Sequence, residues 1–209
     1  MLKIDLLRHG ETTLSHTLRG STDDDLTQLG WSQMQQTIDQ SWHALNPDST
    51  YKPLQWDVIF SSPLKRCRLF AESVADQKQR PLFYDAGLQE MHFGDWEGIS
   101  TQVIYENEPE LLANFWQQPT QFTPPNAEKM QDFNQRIFNS VEKMQRQMLE
   151  NKWQHALVVT HGGVIKLLKC MASNHSLDDI LKMTAELGQL NSFAIHEDSS
   201  IHLLKELPQ

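Results

Sequence analysis

The chain alternates short apolar runs with longer segments of helical periodicity. Three apolar runs, at residues 3–7, 58–60 and 156–159, have the length and composition of buried strands. Each run ends in a polar group, and these groups are Arg8-His9-Gly10, Ser61-Ser62-Pro63 and Thr160-His161-Gly162-Gly163. Because ligands bind beyond the carboxyl ends of the strands in α/β sheets, we expect the three groups to meet at one edge of a sheet.

Three segments have a helical pattern. Residues 28–45 follow Thr27, a residue type that favours the N-terminal cap, and residues 63–75 begin with Pro63, which suits a first turn. In residues 129–152 apolar side chains recur every three or four positions, which is typical of a helix packed against a core. Because these helices alternate with the strands, the sequence predicts an α/β fold, a three-layer α/β/α sandwich with a mostly parallel central sheet.

The remaining segments are expected to belong to the same domain. Two alternating runs, at residues 192–196 and 201–204, flank a polar tetrapeptide and predict a β-hairpin. Residues 91–128 contain four prolines and have weaker periodicity, so we expect an insertion that folds over the site. A length of 209 residues suits one hydrophobic core, and we expect a single domain over residues 1–209.

Composition narrows the class of protein. The net charge of −9 argues against a nucleic-acid partner, because general nucleic-acid binding needs a basic surface. No apolar stretch reaches the length of a signal peptide core or a membrane span, so we expect a cytoplasmic protein with no membrane partner. Two cysteines, Cys67 and Cys170, are too few for a disulfide scaffold and are expected to be reduced.

The polar groups at the strand ends include residues suited to phosphoryl transfer. A neutral imidazole such as that of His9 can attack a phosphomonoester if other groups neutralise charge on the transferring phosphoryl group. Arg8 and Arg66 are candidates for this, because a guanidinium group donates paired hydrogen bonds to phosphate oxygens and stays protonated. The departing alkoxide needs a proton, and the Glu90 carboxyl is the candidate donor.

Short motifs follow one another along nearly the whole chain. They are Leu7-Arg8-His9-Gly10-Glu11-Thr12, Gly20-Ser21-Thr22-Asp23, Leu26-Thr27-Gln28-Leu29-Gly30, Ser61-Ser62-Pro63-Leu64-Lys65-Arg66, Leu88-Gln89-Glu90, Phe93-Gly94-Asp95-Trp96-Glu97-Gly98 and Val159-Thr160-His161-Gly162-Gly163. In this order they resemble the motifs of the histidine phosphatase superfamily, also called the phosphoglycerate mutase-like superfamily. Each motif alone is a weak signal, whereas the ordered set is specific. The resemblance implies the fold of that superfamily and a phosphohistidine intermediate.

The resemblance assigns a role to each candidate residue. It implies that His9 is the nucleophile, that Arg8 and Arg66 form a phosphate clamp, that His161 binds the phosphoryl oxygens and that Glu90 donates the proton. It implies no cofactor. No metal is expected either, because the sequence contains no His-Glu-x-x-His or Cys-x-x-Cys motif.

Four further positions are expected to contact the substrate. They are Ser15, Gly20, Thr22 and Gly162. Ser15 departs from the family pattern, because many members have an asparagine there and the serine side chain reaches less far. Residues 125–129 depart as well, since Ala127-Glu128-Lys129 stands where relatives have Gly-Glu-Ser or Gly-Glu-Gly. Lys129 is therefore expected to place a long cation near the site.

Two other nucleophiles are conceivable. Asp23 begins an Asp-x-Asp-x-Thr pattern of the kind found in phosphatases with an aspartate nucleophile, but that pattern should follow an apolar strand and residues 18–22 do not form one. Cys67 would need an arginine six residues later to act as a cysteine phosphatase does, and that position holds Ser73. A small packed thiol is expected at Cys67 instead.

Residues 88–97 narrow the expected substrate. They are similar to the Glu-Met-x-Phe-Gly-x-Trp-Glu run of α-ribazole phosphatases, which act on the α-ribazole phosphate of cobalamin's nucleotide loop. We therefore expect a phosphomonoester hydrolase for this small molecule. The alternatives left open are a broad-specificity or sugar-phosphate phosphatase, a phosphoglycerate mutase and a non-catalytic domain that binds phospho-ligands. A homodimer is left open as the assembly.

Overall fold

A six-stranded sheet forms the centre of the computed structural model, which describes residues 1–42 and 55–206. The strands are β1 (Leu2–Arg8), β2 (Val58–Ser61), β3 (Leu82–Tyr84), β4 (His155–Thr160), β5 (Leu190–Ile195) and β6 (Ile201–Glu206). Their spatial order is β3-β2-β4-β1-β5-β6. The first four in this order run parallel, whereas β5 and β6 are antiparallel to their neighbours. The predicted mostly parallel sheet and C-terminal hairpin are confirmed.

Helices cover both faces of the sheet. Those in the described residues are α1 (Gln28–Trp42), α2 (Lys65–Lys78), α3 (Thr101–Asn107), α4 (Pro109–Gln117), α5 (Met130–Glu150) and α6 (Gly162–Ala172). Because successive strand residues point to opposite faces, Leu7 and Val159 pack with α1 and α2, whereas Leu6 and Val158 pack with α5 and α6. This arrangement confirms the three-layer sandwich. None of the described helices is long and apolar enough to cross a membrane.

The helix bounds differ from the predicted ones at several ends. The second helix begins at Lys65 rather than Pro63, and it continues past residue 75 to Lys78. It ends where Gln79 adopts a left-handed conformation with a φ of 52°. The long helix spans Met130–Glu150, close to the predicted range. The predicted end of the first helix, at residue 45, lies outside the described residues.

Residues 91–128 fold into two short helices and a turn of 3-10 helix. The Ser100 hydroxyl accepts a hydrogen bond from the backbone N–H of Val103 and so caps α3, and Pro109 occupies the first turn of α4. Trp96 and Phe115 from this segment are buried, and their ring centroids lie 5.7 Å apart in a T-shaped arrangement. The segment therefore adds its aromatic side chains to the core beneath α5 and α6.

A charged residue lies in the middle of the buried strand β1. The Asp5 carboxylate is fully buried and accepts hydrogen bonds from the Trp56 indole N–H and the Ser192 hydroxyl, and it contacts the His155 ring at 2.7 Å. Burial acts to raise the pKa of Asp5, but the bond to His155 and the other donors outweigh it and the pKa lies below its usual value. These bonds connect β1, β4 and β5 across the sheet.

Candidate active site

His9 follows β1 directly and is almost completely buried. Its Nδ1 atom lies 2.8 Å from the carbonyl oxygen of Gly10. A carbonyl oxygen only accepts, so Nδ1 carries the proton and Nε2 keeps its lone pair. Burial, reinforced by the charges of Arg66 and Arg8, holds the pKa of His9 well below its usual value. The imidazole is therefore neutral at pH 7 and suited to nucleophilic attack through Nε2.

His161 lies next to His9, at the end of β4. The centroids of the two rings are 5.3 Å apart. Nδ1 of His161 accepts a hydrogen bond from Nε of Arg66 at 3.2 Å, so the proton is on Nε2, which donates to the Ser62 hydroxyl at 2.7 Å. Burial and the charge of Arg66 lower the pKa of His161 well below its usual value. Both ring nitrogens thus have protein partners, and binding of phosphoryl oxygens by His161 stays a prediction.

Arg66 extends from the first turn of α2 and is fully buried. Its guanidinium donates to the carbonyl oxygens of Thr22 at 2.5 Å and Gly20 at 2.8 Å, to the Asp24 carboxylate at 3.1 Å and to the ring of His161. Four of its five N–H donors therefore have protein acceptors. One N–H remains for a phosphoryl oxygen, which is fewer than a paired clamp requires.

The loop that contains Gly20 and Thr22 is held from two sides. Its carbonyl oxygens accept from Arg66, and its backbone N–H groups at Gly20, Ser21 and Thr22 donate to the carboxylate of Glu97 at 2.9–3.1 Å. Burial acts to raise the pKa of Glu97, but the backbone N–H of Phe93, the Thr22 hydroxyl and the backbone donors of Thr22 and Ser21 outweigh it, and the pKa is lowered. Gly20 and Thr22, two of the four expected substrate contacts, thus bind Arg66 and Glu97 through their backbone groups.

Arg8 ends β1 and points to the start of α6. One terminal nitrogen donates to the carbonyl oxygen of Ala185, while its Nε is buried and has no hydrogen-bond partner among the described residues. A Cβ atom at Gly162 would lie 3.0 Å from this Nε. Glycine at position 162 therefore leaves room for the guanidinium group, in addition to its predicted contact with the substrate.

Glu90 is fixed by backbone donors. Its Oε2 accepts from the N–H of Gly163 at 2.9 Å, and its Oε1 accepts from the N–H of Met91 at 3.0 Å. A Cβ atom at position 163 would lie 2.1 Å from Oε1, so only glycine permits this approach. The first turn of α6 therefore sets the position of the carboxyl group that the sequence predicts as the proton donor.

Arg136 on α5 holds the backbone that leads to Glu90. Its guanidinium donates to the carbonyl oxygens of Gly87 at 2.8 Å, Gln89 at 2.9 Å and Glu90 at 3.2 Å. The same group forms a two-bond ion pair with the Glu128 carboxylate at 2.7 and 2.8 Å. Sequence reasoning missed Arg136, because nothing near it in the chain marks its contact with Glu90.

A cavity of about 240 Å³ opens beside His9. Its polar side chains are those of Arg8, His9, Thr17, Arg19, Glu90 and Lys166. Arg8, His9 and Glu90 are therefore brought together as predicted. The two additional cations, one before the Gly20 motif and one on α6, were not foreseen. Burial and the charge of Arg8 lower the pKa of Lys166.

The other side of the cavity is apolar. Phe93 and the α4 residues Phe115 and Trp116, all within residues 91–128, line it together with Phe133 of α5. Trp116 is 48% exposed, so part of its surface is accessible to a ligand. The cavity thus offers an aromatic wall opposite a cationic one.

Ser15 lies outside this cavity. Its hydroxyl accepts a hydrogen bond from the backbone N–H of Thr12 at 2.8 Å and closes a turn. Lys129, the other cation expected near the site, precedes α5 as its exposed N-terminal cap and does not line the cavity either. Ala127 is half-buried, and its backbone N–H donates to the carbonyl oxygen of Pro124 at 3.1 Å.

The two rival nucleophiles have other surroundings. One oxygen of the exposed Asp23 carboxylate accepts from the backbone N–H of Lys65 at 2.7 Å and so caps the start of α2. The Cys67 thiol is fully buried, and burial raises its pKa above the usual value, so it stays protonated. Within residues 1–42 and 55–206, no three His, Cys, Asp or Glu side chains form a group that could hold a metal ion.

An α/β sandwich that gathers a neutral histidine and several arginines at the carboxyl ends of parallel strands is suited to phosphoryl transfer. The family model of the histidine phosphatase superfamily (branch 1) matches residues 4–205. The chain belongs to the histidine phosphatase superfamily. This membership, together with the phosphatases among the similar proteins, identifies the chain as a phosphatase.

Individual relatives are distant in sequence. The adenosylcobalamin/alpha-ribazole phosphatase of Escherichia coli K12 is 28% identical over 172 residues, which are 80% of this chain and 77% of that protein. A 2,3-bisphosphoglycerate-dependent phosphoglycerate mutase of Bartonella quintana is 22% identical over 204 residues, 94% of this chain and 93% of that protein. The crystal structure of the alpha-ribazole phosphatase from Shigella flexneri matches this chain with a TM-score of 0.78 at 24% identity. The match covers 100% of this chain and 96% of that chain, and it supports the fold.

Proposed function

We propose that the protein hydrolyses small phosphomonoesters through a phosphohistidine formed on His9. The observation that carries the proposal is the state of this ring, which is buried, neutral and fixed through Nδ1 on the Gly10 carbonyl oxygen, so that Nε2 keeps its lone pair. Arg8, with a buried Nε that lacks a partner among the described residues, supplies charge for the phosphoryl oxygens.

In the first step the lone pair of His9 Nε2 attacks phosphorus and the bond to the ester oxygen breaks. The protonated Glu90 carboxyl gives its proton to the departing oxygen, which leaves as an alcohol. The proton of His9 stays on Nδ1, which donates it to the Gly10 carbonyl oxygen, so the phosphorylated ring is a cation beside the phosphoryl oxygens. The arginines then stabilise the negative charge of those oxygens.

In the second step water attacks phosphorus and gives one proton to the Glu90 carboxylate. The P–N bond breaks, inorganic phosphate leaves, and the electron pair of that bond returns to Nε2 of His9. The ring is neutral again and Glu90 is again protonated. The backbone donors Met91 and Gly163 fix the carboxyl group through both proton transfers.

The phosphoenzyme tests this chemistry. Wild-type protein quenched in the first turnover should carry one phosphate on His9 in an acid-labile bond, as read by peptide mass spectrometry. His9→Ala should lose several orders of magnitude in kcat, because the nucleophile is gone. His16→Ala, which changes an exposed histidine seven positions along the chain, is the matched control and should keep full activity. Phosphate on another side chain, or an active His9→Ala protein, would disprove the proposal.

We further propose α-ribazole 5′-phosphate as the substrate, and with it a role in the synthesis of cobalamin's nucleotide loop in the cytoplasm. The resemblance of residues 88–97 and the name of the Escherichia coli relative support this choice. A benzimidazole base can stack on the aromatic wall, for which the exposed Trp116 and the half-buried Phe93 offer surface. Residues 91–128 then act as an insertion over the site within a single domain of residues 1–209.

A side-by-side assay of phosphomonoesters tests the substrate. The value of kcat/KM for α-ribazole 5′-phosphate should exceed that for 3-phosphoglycerate and glucose 6-phosphate by about tenfold to a hundredfold, which one or two aromatic contacts can supply. Trp116→Ala should remove most of that difference, whereas Tyr105→Ala, an exposed aromatic residue of the same segment outside the cavity, should not. Preference for 3-phosphoglycerate would reject this substrate and leave the phosphohistidine proposal intact.

A further inference from the structure

Arg19 is a buried arginine that none of the recognised motifs includes. Its side chain is only 8% exposed, yet it lines the cavity together with His9 and Glu90. One terminal nitrogen donates to Asp24 at 2.9 Å. Its Nε is buried and has no hydrogen-bond partner in the part of the chain that the structure describes. Buried donors are nearly always satisfied in folded proteins, so this N–H indicates a ligand.

Asp24 fixes the direction of this guanidinium group. The carboxylate is buried, and its Oδ2 accepts from Arg19 while its Oδ1 accepts from Arg66 at 3.1 Å. Oδ2 also lies 3.4 Å from the backbone nitrogen of Leu14. One carboxylate thus holds two guanidinium groups, and the charges of both act to lower the pKa of His9. Arg19 is pre-organised by this ion pair, whereas Arg66 is occupied by carbonyl oxygens.

Arg19 also adds positive charge beside His9. Arg8, Arg19 and Arg66 carry three positive charges, the Asp24 carboxylate between two of them cancels one, and Lys166 adds a further cation at the cavity. This net positive charge suits a phosphomonoester, which carries close to two negative charges at pH 7. Without Arg19 the positive charge would be smaller by one, and Arg66 has a single N–H to offer.

We propose that Arg19 binds the transferring phosphoryl group as a third arginine, donating its Nε–H to a phosphoryl oxygen, and that Asp24 is the positioning residue that aims it. This inference rests on the proposed phosphohistidine chemistry and extends it. It also explains how the phosphate clamp is completed, although protein acceptors take four of the five N–H donors of Arg66. Arg19 occupies the position immediately before the Gly20 motif.

Inhibition by inorganic phosphate and by orthovanadate tests the contact, with p-nitrophenyl phosphate as the substrate. Arg19→Gln should raise the Ki of phosphate about tenfold and that of vanadate more, because vanadate resembles the transition state. Arg19→Lys should recover part of the phosphate affinity, since it keeps the charge but lacks the planar fork. Arg68→Gln is the matched control, because Arg68 pairs with Glu72 at 3.0 Å outside the cavity, and its Ki values should equal those of the wild type.

The role of Asp24 is tested by a double-mutant cycle. Asp24→Asn should raise the vanadate Ki several-fold. In the Arg19→Gln/Asp24→Asn double variant the loss should be clearly smaller than the sum of the two single losses in free energy, because part of the effect of Asp24 passes through Arg19 and the rest through Arg66. Additive losses would show that Asp24 has no positioning role toward Arg19. Melting temperatures of all variants separate this coupling from a general loss of stability.

Unchanged Ki values for phosphate and vanadate in folded Arg19→Gln would overturn the proposal. If Arg19→Gln does not fold, Arg19→Lys decides the matter, and wild-type Ki values in that variant would also overturn it. Failure of the underlying chemistry has a different signature. A wild-type protein that forms no phosphohistidine, but whose phosphate affinity still depends on Arg19, would reject the proposed function and keep the anion contact.

Discussion

The buried histidines make the stability of the folded protein depend on pH. Their pKa values lie well below the usual 6.5, because burial and nearby arginines disfavour the imidazolium form. Between those lowered values and 6.5 the unfolded chain binds more protons than the folded one, so the free energy of unfolding rises with pH. We expect stability to decrease when the pH falls from 7 to 5. Urea unfolding at several pH values measures this decrease.

His9→Gln should reduce this pH dependence, because one of the two groups is removed. His16→Gln, at an exposed position, should leave it unchanged. Equal slopes of stability against pH in His9→Gln and the wild type would contradict the assignment of a buried neutral ring. The comparison does not depend on which substrate the enzyme uses.

Glu90 is expected to matter most for esters with poor leaving groups. Glu90→Gln keeps one acceptor oxygen for the backbone N–H of Met91 or Gly163, replaces the other with an amide NH2 group, and cannot give a proton to the leaving oxygen as a carboxylic acid can. The rate for an alkyl phosphate should fall by about a hundredfold or more, and that for p-nitrophenyl phosphate by less than about tenfold. Steady-state kinetics with both esters measures the difference. Equal losses on the two esters would exclude the acid role.

Motif residues could be predicted individually, whereas their partners could not. Arg8, His9 and Glu90 each stand in a recognisable local sequence, and the structure brings them to one cavity. Arg19 and Arg136 are defined by contacts with distant residues, so a single sequence gives them no local signal. The same limit applies to Arg66, whose motif indicates a phosphate clamp but not that protein acceptors occupy four of its five N–H donors.

Helix α5 supports the Glu90 loop through the single side chain of Arg136. Arg136→Lys keeps the charge but loses the fork that reaches three carbonyl oxygens and Glu128. We expect kcat/KM for an alkyl phosphate to fall about tenfold, since small displacements of a catalytic group are costly. Arg146→Lys, an exposed arginine of the same helix, is the control. A loss on p-nitrophenyl phosphate as large as that on the alkyl ester would contradict an effect through Glu90.

Elements with strong apolar patterns could be predicted, and weakly patterned ones could not. The runs of β1, β2 and β4 are buried on both faces and therefore nearly continuous in apolar residues. β3 has only three residues, two of them exposed, and gives no such signal. Helices α3 and α4 are short and largely exposed, so their periodicity is weak. The order of the strands depends on long-range pairing that no local pattern records.

The phosphatase activity of the folded protein should not depend on a divalent cation. Arg8, Arg19 and Arg66 are the residues that we propose to supply the positive charge that metal ions supply in other phosphatases. Dialysis against EDTA should leave kcat/KM unchanged, as measured by phosphate release before and after the treatment. Loss of activity that returns when Mg²⁺, Mn²⁺ or Zn²⁺ is added would contradict this expectation.

The pairing of β1 with β4 has a consequence for synthesis on the ribosome. Residue 3 lies opposite residue 155, so the strand that carries His9 gains a neighbour only after most of the chain has been made. At about 5–20 residues per second, that interval is roughly 10–30 seconds. During this time His9, the proposed nucleophile, lacks His161 as its neighbour. The growing chain therefore assembles its proposed catalytic site late in translation, although its first motif is made early.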